Sequence, residues 1–287
     1  MIAGSTNSVV NALTFDIEDW FHMVGIDAVE DPNSWPTFAS IVEKQTEWIV
    51  ETVNKANVRA TFFILGWIAD RYPHLVRLIA ESGHEIGTHS YWHRKCYELT
   101  PETLRQDLAR SIEALTTAGA SQVIGFRAPS FSIIPGSEWV MDVLLDLGIK
   151  YDTSLFPAPR GHGGYPCPIE AHEFKRAPSG RPMPELPISI MRFMGRRLPF
   201  SGGGYMRLIP QWLIRKGFDQ LNSQGIPVVV YLHPRDFAVD CPRVPMPLHR
   251  RFKSYTGIDT TAEKLRMILQ RYRFDTCASV MGVADKD

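Results

Sequence analysis

The feature that most constrains the fold of this chain is a regular alternation of short apolar runs with amphipathic stretches. Over the first half of the sequence, the apolar runs predict strands at 9–16, 59–66, 84–89, 123–129 and 149–153. The stretches between them have helical spacing and predict helices at 41–56, 68–82, 100–119 and 137–147. Strands that alternate with helices of this length indicate βαβ units, so we expect an α/β fold with a mainly parallel sheet.

Polar side chains follow several of these predicted strands. Asp16, His89, Arg127 and Asp152 each lie at or just after the end of one. In parallel α/β sheets, functional residues gather at the carboxyl ends of the strands. These four residues are therefore the first candidates for a common site.

The second half of the chain has a different pattern. Residues 156–205 are rich in Pro and Gly, which predicts a loop-rich insertion of long loops and hairpins over the mouth of the sheet, with a tight turn at 201–205. A helix is predicted at 210–224, a buried strand at 226–233 and a last helix at 260–273.

The length and composition limit the class of protein. The 287 residues, 44% apolar and 22% charged, are typical of a globular chain, for which we predict a catalytic domain over 1–240 and a carboxyl-terminal extension, 241–287, packed on the same domain. Lys and Arg balance Asp and Glu at 31 each, so the basic field that nucleic-acid binding needs is missing and no nucleic-acid partner is expected. No apolar run of about 18 residues predicts a transmembrane segment.

The cysteines and the amino terminus bear on the compartment. The four cysteines form no CxxC pair, and the first residues have neither a basic region nor a long apolar run of the secretory type. We therefore expect reduced thiols and a cytoplasmic location. The alternatives are peripheral attachment to the inner membrane and a leader that has been removed.

The strongest local signal is a pair of histidines four residues apart, His89 and His93. If this segment turns helically, both side chains lie on one face and can bind one metal ion, although chance spacing gives the same pair. Asp16, Glu18 and Asp19 follow the first predicted strand, where like charges are costly unless a cation compensates; a solvated acidic turn has the same composition. Two histidines and one carboxylate make a metal site with open positions, and a second carboxylate can serve as general base.

Three further residues have both a functional and a structural interpretation. Arg127 either ion-pairs with the catalytic carboxylate and fixes its direction or forms an ordinary salt bridge. His233, at the end of a buried strand, is either a general acid or a packed core histidine. Asp152 is the natural carboxylate to orient another group of the site.

Five motifs, TFD-x-E-D, TH-S-x-x-H, RAPS, YDTS and YLH, follow one another between residues 10 and 235. In this order they resemble the NodB-homology polysaccharide deacetylases, carbohydrate esterase family 4. The stretches GFRAPSFSI, PFSGGGYMRL and YLHPRDF resemble the branch of that family found beside exosortase and exopolysaccharide gene clusters, which carries a carboxyl-terminal extension. The resemblance implies a distorted (β/α) barrel of about seven parallel strands.

The resemblance also implies roles for the residues that match the family's motifs. Asp16 is expected to be the catalytic base, Arg127 the residue that tethers it, and His233 the general acid. His89 and His93 are expected to bind the metal ion.

The remaining matches are expected around the substrate. Pro129 and Ser130 correspond to the loop whose backbone N–H helps to hold the oxyanion, and Leu232 to a residue that lines the pocket for the acetyl methyl group. Asp152 matches the carboxylate of the fourth motif, which is shortened here to DTS, so its catalytic role is the least defined.

The first motif departs from the family pattern of adjacent aspartates, because Ile17 follows Asp16. The metal carboxylate is therefore Glu18 or Asp19, and only one of the two is expected to bind. A D-x-D arrangement in some relatives, and strand alternation that puts 16 and 18 on one face, favour Glu18. Asp19 binds instead if the chain has already turned.

The function implied is that of a metal-dependent hydrolase that removes N-acetyl groups from a polysaccharide or a lipid-linked glycan. The expected cofactor is Zn²⁺, with Co²⁺ as a possible substitute, and the expected partner is an N-acetylated glycan. One alternative is a metal-independent amidohydrolase of the allantoinase type. The other is a non-catalytic scaffold in an exopolysaccharide complex.

Overall fold

Strands and helices alternate along the first half of the chain, as the sequence predicts. The computed structural model describes residues 9–159, 161 and 163–283; residues 1–8, in which the sequence predicts no secretory signal, lie outside this part of the chain. Within the described residues the strands are β1 (Val10–Ile17), β2 (Thr61–Ile64), β3 (Glu85–Thr88), β4 (Gly125–Phe126), β5 (Tyr151–Asp152), β6 (His172–Phe174), β7 (Met183–Glu185), β8 (Ile190–Phe193), β9 (Arg196–Pro199), β10 (Val229–Leu232) and β11 (Arg273–Asp275). The α-helices are α1 (Val42–Lys55), α2 (Gly66–Arg71), α3 (Pro73–Glu81), α4 (Pro101–Ala118), α5 (Trp139–Asp146), α6 (Gly203–Leu208), α7 (Gln211–Asn222), α8 (Leu248–Tyr255), α9 (Ile258–Arg271) and α10 (Cys277–Met281).

One curled sheet holds most of the strands. Its order is β10-β1-β2-β3-β4-β5-β7-β6, and β11 also pairs with β1. These pairings are parallel except that of β6 with β7. The seven strands from β10 to β7 therefore form a parallel half-barrel, which confirms the predicted α/β fold with a distorted barrel of about seven parallel strands.

The central strand β1 has two chemically different faces because side chains alternate along a strand. Leu13, Phe15 and Ile17 are fully buried in the main hydrophobic core, together with apolar residues of α1 and α3. Thr14 and Asp16 lie on the other face, inside the curl of the sheet. The polar residues of β1 thus point away from the helices and towards the interior of the half-barrel.

Two predicted helices differ from the structure. The predicted helix at 68–82 is wrong in its continuity, because Tyr72 separates α2 from α3 with φ −130° and ψ 59°. Pro73 disfavours helical backbone in the residue before it, which explains the break. The helix predicted to be the last one ends at Arg271; the chain continues as β11, which pairs with β1, and as α10.

In the described part of residues 156–205 the structure has long loops and two antiparallel pairs, β6–β7 and β8–β9. The predicted tight turn at 201–205 is instead the start of α6. Just before it, a Cβ atom built on Gly202 would lie 2.1 Å from the backbone oxygen of Tyr231. Glycine therefore permits a close approach of the chain to the end of β10.

The chain beyond residue 240 packs against the same sheet. β11 pairs with β1, and α9 packs on α6, where Nζ of Lys264 donates to the backbone oxygen of Arg207 at 2.6 Å. The predicted boundary at residue 240 stays a prediction. Every helix in the described residues is too short or too polar to cross a membrane.

Candidate active site

A buried carboxylate and a buried guanidinium lie together at the carboxyl end of β1. Oδ1 of Asp16 accepts a hydrogen bond from Nη1 of Arg127 at 2.8 Å. The same Nη1 donates to Oγ1 of Thr14 at 2.5 Å, while Nε and Nη2 donate to the backbone oxygen and the hydroxyl of Thr153. A guanidinium with this many fixed partners holds the Asp16 carboxylate in one orientation.

Three potential metal ligands converge beside this pair. Glu18 lies two residues after Asp16, His89 follows β3, and His93 lies in the loop beyond it. One donor atom from each of Glu18, His89 and His93 lies within 4.8 Å of the other two, and all three residues are buried. Nε2 of His93 is 2.7 Å from Oε2 of Glu18.

The two histidines come together through a loop and not through a helix. Ser90 and His93 have left-handed backbone, with φ of 68° and 54°. The carboxylate of Asp107 on α4 accepts hydrogen bonds from the backbone N–H groups of Tyr91, at 2.7 Å, and Trp92, at 3.2 Å. The segment does not turn helically, so the four-residue spacing alone does not explain how the histidines meet; a buried carboxylate from another element fixes the loop instead.

The surroundings of the ligands favour the protonation states that metal binding needs. Nδ1 of His89 lies 2.7 Å from the backbone oxygen of Arg127; since a carbonyl only accepts, Nδ1 carries the proton and Nε2 keeps its lone pair. Burial lowers the pKa of His89 to about 4. Burial also opposes ionisation of Glu18, but the adjacent His93, together with His233 and His89, lowers the pKa of Glu18 below its usual value. Glu18 is thus ionised and His89 neutral, the forms that bind a divalent ion, and the buried donor set of Glu18, His89 and His93 fits one.

The structure separates the two carboxylates between which the sequence left the choice open. Glu18 lies with the histidines, whereas Asp19 faces the amino-terminal end of α1. The carboxylate of Asp19 accepts from the backbone N–H groups of Trp20, at 2.8 Å, and Ile41, at 3.2 Å, and from the hydroxyl of Ser40, at 2.5 Å. Asp19 therefore holds two segments of backbone together, as a capping residue does.

His233 follows β10 and faces Asp16. Its Nε2 atom lies 3.7 Å from Oδ2 of Asp16, and its Nδ1 atom lies 2.9 Å from Oδ2 of Asp236. Asp236 in turn forms an ion pair with Nε of Arg207 at 3.0 Å. Burial opposes the charge on His233, but Asp236, together with Glu18 and Asp16, outweighs it and raises the pKa of His233. Arg207 and His233 lower the pKa of Asp236 to about 2 despite its burial.

Sequence reasoning missed Asp236 and Arg207. The three-residue spacing of His233-Pro-Arg-Asp236 was an available signal, because Asp236 caps the turn and bonds to the backbone N–H of His233 as well. Arg207 gave no signal, since it reaches Asp236 only through the tertiary fold.

Asp152 lies behind the site. Its carboxylate accepts from the hydroxyl of Ser154 at 2.5 Å, and that hydroxyl accepts from the backbone N–H of Ala128 at 2.7 Å. Glu185 stands opposite Asp152 on the neighbouring strand β7, and burial together with the charge of Asp152 raises the pKa of Glu185 well above its usual range, so that Glu185 carries the proton of this pair. The partner that orients His233 is therefore Asp236, and Asp152 instead supports the segment that follows β4.

That segment contains Pro129 and Ser130. Ser130 and Phe131 have left-handed backbone, with φ of 55° and 52°, in a short 3₁₀ turn, Pro129–Phe131. Non-glycine residues in this conformation carry strain that the surroundings must offset. The hydrogen bonds from Ala128 through Ser154 to Asp152 anchor the turn at its start.

Leu232 and Tyr231 point to opposite faces of β10. Leu232 is fully buried in the main core with Leu13 and Phe15, on the face away from Asp16, so the structure does not place it towards the acetyl group as the resemblance implies. Tyr231 lies on the inner face of the strand. The centroid of its ring is 4.8 Å from that of Phe131 and 6.1 Å from that of His233. Because side chains alternate along a strand, the sequence itself indicated that Tyr231, and not Leu232, faces the interior of the half-barrel.

Comparison with known proteins agrees with this geometry. Residues 4–151 match the family model described as polysaccharide deacetylase, and residues 153–282 match a domain of unknown function (DUF3473). A peptidoglycan-N-acetylglucosamine deacetylase of Bacillus cereus is 28% identical over 120 residues, which are 38% of this chain and 44% of that protein. A peptidoglycan deacetylase of Helicobacter pylori is 27% identical over 107 residues, 37% of this chain and 36% of that protein, so the match spans less than half of either relative.

Solved structures share the fold along nearly the whole chain. A Mycobacterium smegmatis protein described as a polysaccharide deacetylase gives a TM-score of 0.66 at 19% identity, covering 98% of this chain and 92% of that one. The PuuE allantoinase gives 0.62 at 14% identity, covering 95% and 88%. A carbohydrate esterase family 4 pseudoenzyme of Bacillus anthracis gives 0.52 at 15% identity, covering 98% and 68%.

Proteins of different activity thus share this fold, and at these identities the likeness shows the fold alone. The narrower resemblance to the exosortase-associated branch stays a prediction. The family assignment rests on the sequence match, which covers Asp16 on β1 and the residues that follow β1, β3 and β4, namely Glu18, His89, His93 and Arg127. By this match, the chain belongs to the polysaccharide deacetylase family.

Proposed function

We propose that the protein is a metal-dependent hydrolase that removes N-acetyl groups from a polysaccharide or a lipid-linked glycan. The observation that carries the proposal is the meeting of three units in one buried site. These are the Asp16–Arg127 pair, the ligand set of Glu18, His89 and His93, and His233 with its partner Asp236. Amide hydrolysis needs a base for water, an electrophile at the carbonyl and an acid for the leaving amine, and the three units match these needs.

We expect Zn²⁺ at the metal site, with Co²⁺ as a substitute, because two imidazoles and one carboxylate suit such an ion and leave positions open for water and substrate. When bound, the ion supplies Lewis-acid polarisation of the amide carbonyl and acidifies water. Glu18, His89 and His93 would hold it.

The predicted cytoplasmic location stays a prediction.

The protein's own groups move the protons. Asp16, oriented by Arg127, accepts the proton of the attacking water as the new C–O bond forms. The backbone N–H of Ser130, in the Pro129–Phe131 turn, stabilises the oxyanion, in the role expected for the loop of Pro129 and Ser130. His233, held by Asp236, gives its proton to the nitrogen as the C–N bond breaks, which leaves acetate and a free amino sugar.

The residues of the site, and not the fold, distinguish a deacetylase from the two alternative functions, a metal-independent amidohydrolase and a non-catalytic scaffold. The allantoinase and the pseudoenzyme show that this fold does not by itself specify a deacetylase. A metal-independent amidohydrolase has no need of the ligand set that Glu18, His89 and His93 provide here. A scaffold has no need of a buried ion pair and a carboxylate-bound histidine facing each other at 3.7 Å.

The test combines metal content with acetate release from N-acetylglucosamine oligomers. Wild type should hold one metal ion per chain and release acetate. His89→Ala should lose both, whereas Asp16→Asn should keep the metal and lose activity about a thousandfold, as expected when a general base is removed. His74→Ala is the matched control, because His74 lies half-exposed beside Glu43, outside the site. Folded wild type that releases no acetate after reloading with Zn²⁺ or Co²⁺ would exclude the proposal.

A further inference from the structure

Helix α8 is held on the protein although none of its residues is buried. Arg250 donates to the backbone oxygens of residues 24 and 25 at 2.6 and 2.5 Å. Arg207 donates to the backbone oxygens of Lys253, at 2.6 Å, and Ser254, at 2.7 Å. Polar contacts on one side of the helix therefore hold it in position, together with Tyr255 at its end, which is partly buried against the main core.

The other side of α8 presents large apolar side chains to solvent. Leu248 is 81% exposed and Phe252 is 58% exposed, and residues four apart lie on the same side of a helix. With 3.6 residues per turn, Arg250 and Ser254, which contact the protein, lie on the opposite side. The apolar pair is thus directed away from the protein by the contacts that anchor the helix.

The segment that carries this pair has charges of one sign. Residues 241–258 contain four cationic residues, Arg243, Arg250, Arg251 and Lys253, and no Asp or Glu, so the segment carries a formal charge of +4. The whole chain has a formal charge of zero, so this is a local excess. Arg251 and Lys253 are exposed beside Phe252. Exposed apolar side chains among cations are typical of a surface that binds anionic lipids.

The helix lies at the same end of the sheet as the candidate active site. Its anchor at residues 24 and 25 is in the loop that follows Glu18. Its second anchor, Arg207, forms an ion pair with Asp236, the partner of His233. A surface that binds α8 would therefore lie close to the segments that carry the catalytic groups.

We propose that α8 docks the protein on an anionic lipid surface, with Leu248 and Phe252 entering the headgroup region and Arg251 and Lys253 pairing with lipid phosphates. An anionic polysaccharide would satisfy the cations, but it would leave the two apolar side chains in water. Lipid binding is measured without any glycan, so its failure and the failure of the proposed deacetylase are distinguishable.

The test is co-sedimentation of the full chain with vesicles of phosphatidylglycerol and phosphatidylcholine, compared with phosphatidylcholine alone. Wild type should bind only the anionic vesicles, and binding should weaken as salt is added, because the charges are exposed. Leu248→Ser/Phe252→Ser and Arg251→Glu/Lys253→Glu should each weaken binding by about tenfold or more. Far- and near-ultraviolet circular dichroism checks that each variant is folded.

The matched control is Lys150→Glu/Arg273→Glu. It makes the same change of charge at the opposite end of the sheet, because these exposed residues stand at the starts of β5 and β11. This control should bind vesicles as wild type does. Absence of wild-type binding to anionic vesicles, or an equal loss in the control, would overturn the proposal. A third outcome would also overturn it: the protein binds a soluble anionic polysaccharide and not vesicles, and Leu248→Ser/Phe252→Ser does not weaken that binding.

Discussion

Adjacent acidic residues at the end of β1 have different surroundings, which leads to a prediction at the scale of single residues. Glu18 lies with His89 and His93, whereas Asp19 accepts backbone hydrogen bonds at the start of α1. Glu18→Gln should therefore lose the metal ion, and with it the rise in melting temperature that metal binding gives to the folded state. Asp19→Ala should keep the metal but lower the free energy of unfolding by about 2 kcal/mol.

Metal content and melting temperature with and without a chelator measure both effects. The chelator should lower the melting temperature of wild type and of Asp19→Ala and leave that of Glu18→Gln unchanged. Loss of metal in Asp19→Ala, with metal retained in Glu18→Gln, would reverse the assignment of the ligand.

A second residue-scale prediction concerns the buried carboxyl pair behind the site. The folded-state pKa of Glu185 is raised well above 4.5 by burial and by Asp152. A group with a raised pKa contributes stability that is fully present below the unfolded-state pKa and is lost as the pH rises through the folded-state pKa. Relative to Glu185→Gln, which keeps a donor to Asp152 and does not titrate, wild type should lose up to about 1.4 kcal/mol per pH unit above pH 4.5.

Urea unfolding of both proteins between about pH 5 and 8 measures this difference. As the pH rises, the free energy of unfolding of wild type should fall steadily relative to that of Glu185→Gln. Parallel curves would mean that Glu185 does not hold the proton. Ser154→Ala, which cuts the link from Asp152 to Ala128 without removing an acid, is the control and should leave the pH dependence of wild type in place.

At the residue scale, the sequence could reveal groups whose chemistry is carried by local motifs. The order of the motifs predicted Asp16, Arg127 and His233, and the structure brings them together. Arg207 was not predictable, because its role depends on an ion pair between distant parts of the chain. Leu232 was assigned from the motif alone, although the alternation along β10 directs Tyr231 to the inner face.

At the scale of elements, the contact between Gly202 and β10 gives a prediction. A Cβ atom at Gly202 would lie 2.1 Å from the backbone oxygen of Tyr231 and 2.4 Å from its ring. Gly202→Ala should therefore push the end of β10 aside, destabilise the protein by about 2 kcal/mol and lower acetate release, since His233 follows Tyr231 by two residues. Gly161→Ala is the matched control, because its Cβ atom would lie within 4 Å of no atom in the described part of the chain. Equal melting temperatures for the two variants would contradict the steric argument.

Some element boundaries are set by neighbouring residues in the sequence, and others are set by contacts with distant elements. The break at Tyr72 has a local cause, the proline that follows it, and was readable from the sequence. The loop from His89 to His93 has a distant cause, because Asp107 on α4 supplies the acceptor for its backbone. Spacing alone suggested a helical turn there, and only the packing of α4 beside β3 shows how the two histidines meet.

At the scale of the whole molecule, the two regions with separate family matches build one sheet. Residues 4–151 supply β1 to β4 and the start of β5, whereas residues 153–282 supply β6, β7, β10 and β11. β10 and β11 both pair with β1, the strand that carries Asp16. The alternation in the first half predicted the parallel sheet, but nothing local in Arg273–Asp275 indicates a strand that returns to the beginning of the chain.

The last prediction follows from the pairing of β10 and β11 with β1. Without residues 153–287, β1 would lose its partners β10 and β11, and the apolar residues of α7 and α9 that complete the main core would be missing. The full chain should therefore unfold in one transition, with far- and near-ultraviolet circular dichroism giving the same midpoint. A fragment of residues 1–152 should lack a cooperative transition, although it contains Glu18, His89 and His93, and should bind Zn²⁺ at least about tenfold more weakly, because an unfolded chain has no preformed site. Two separate transitions in the full chain, or a fragment that melts cooperatively, would show that the amino-terminal region is a folding unit by itself.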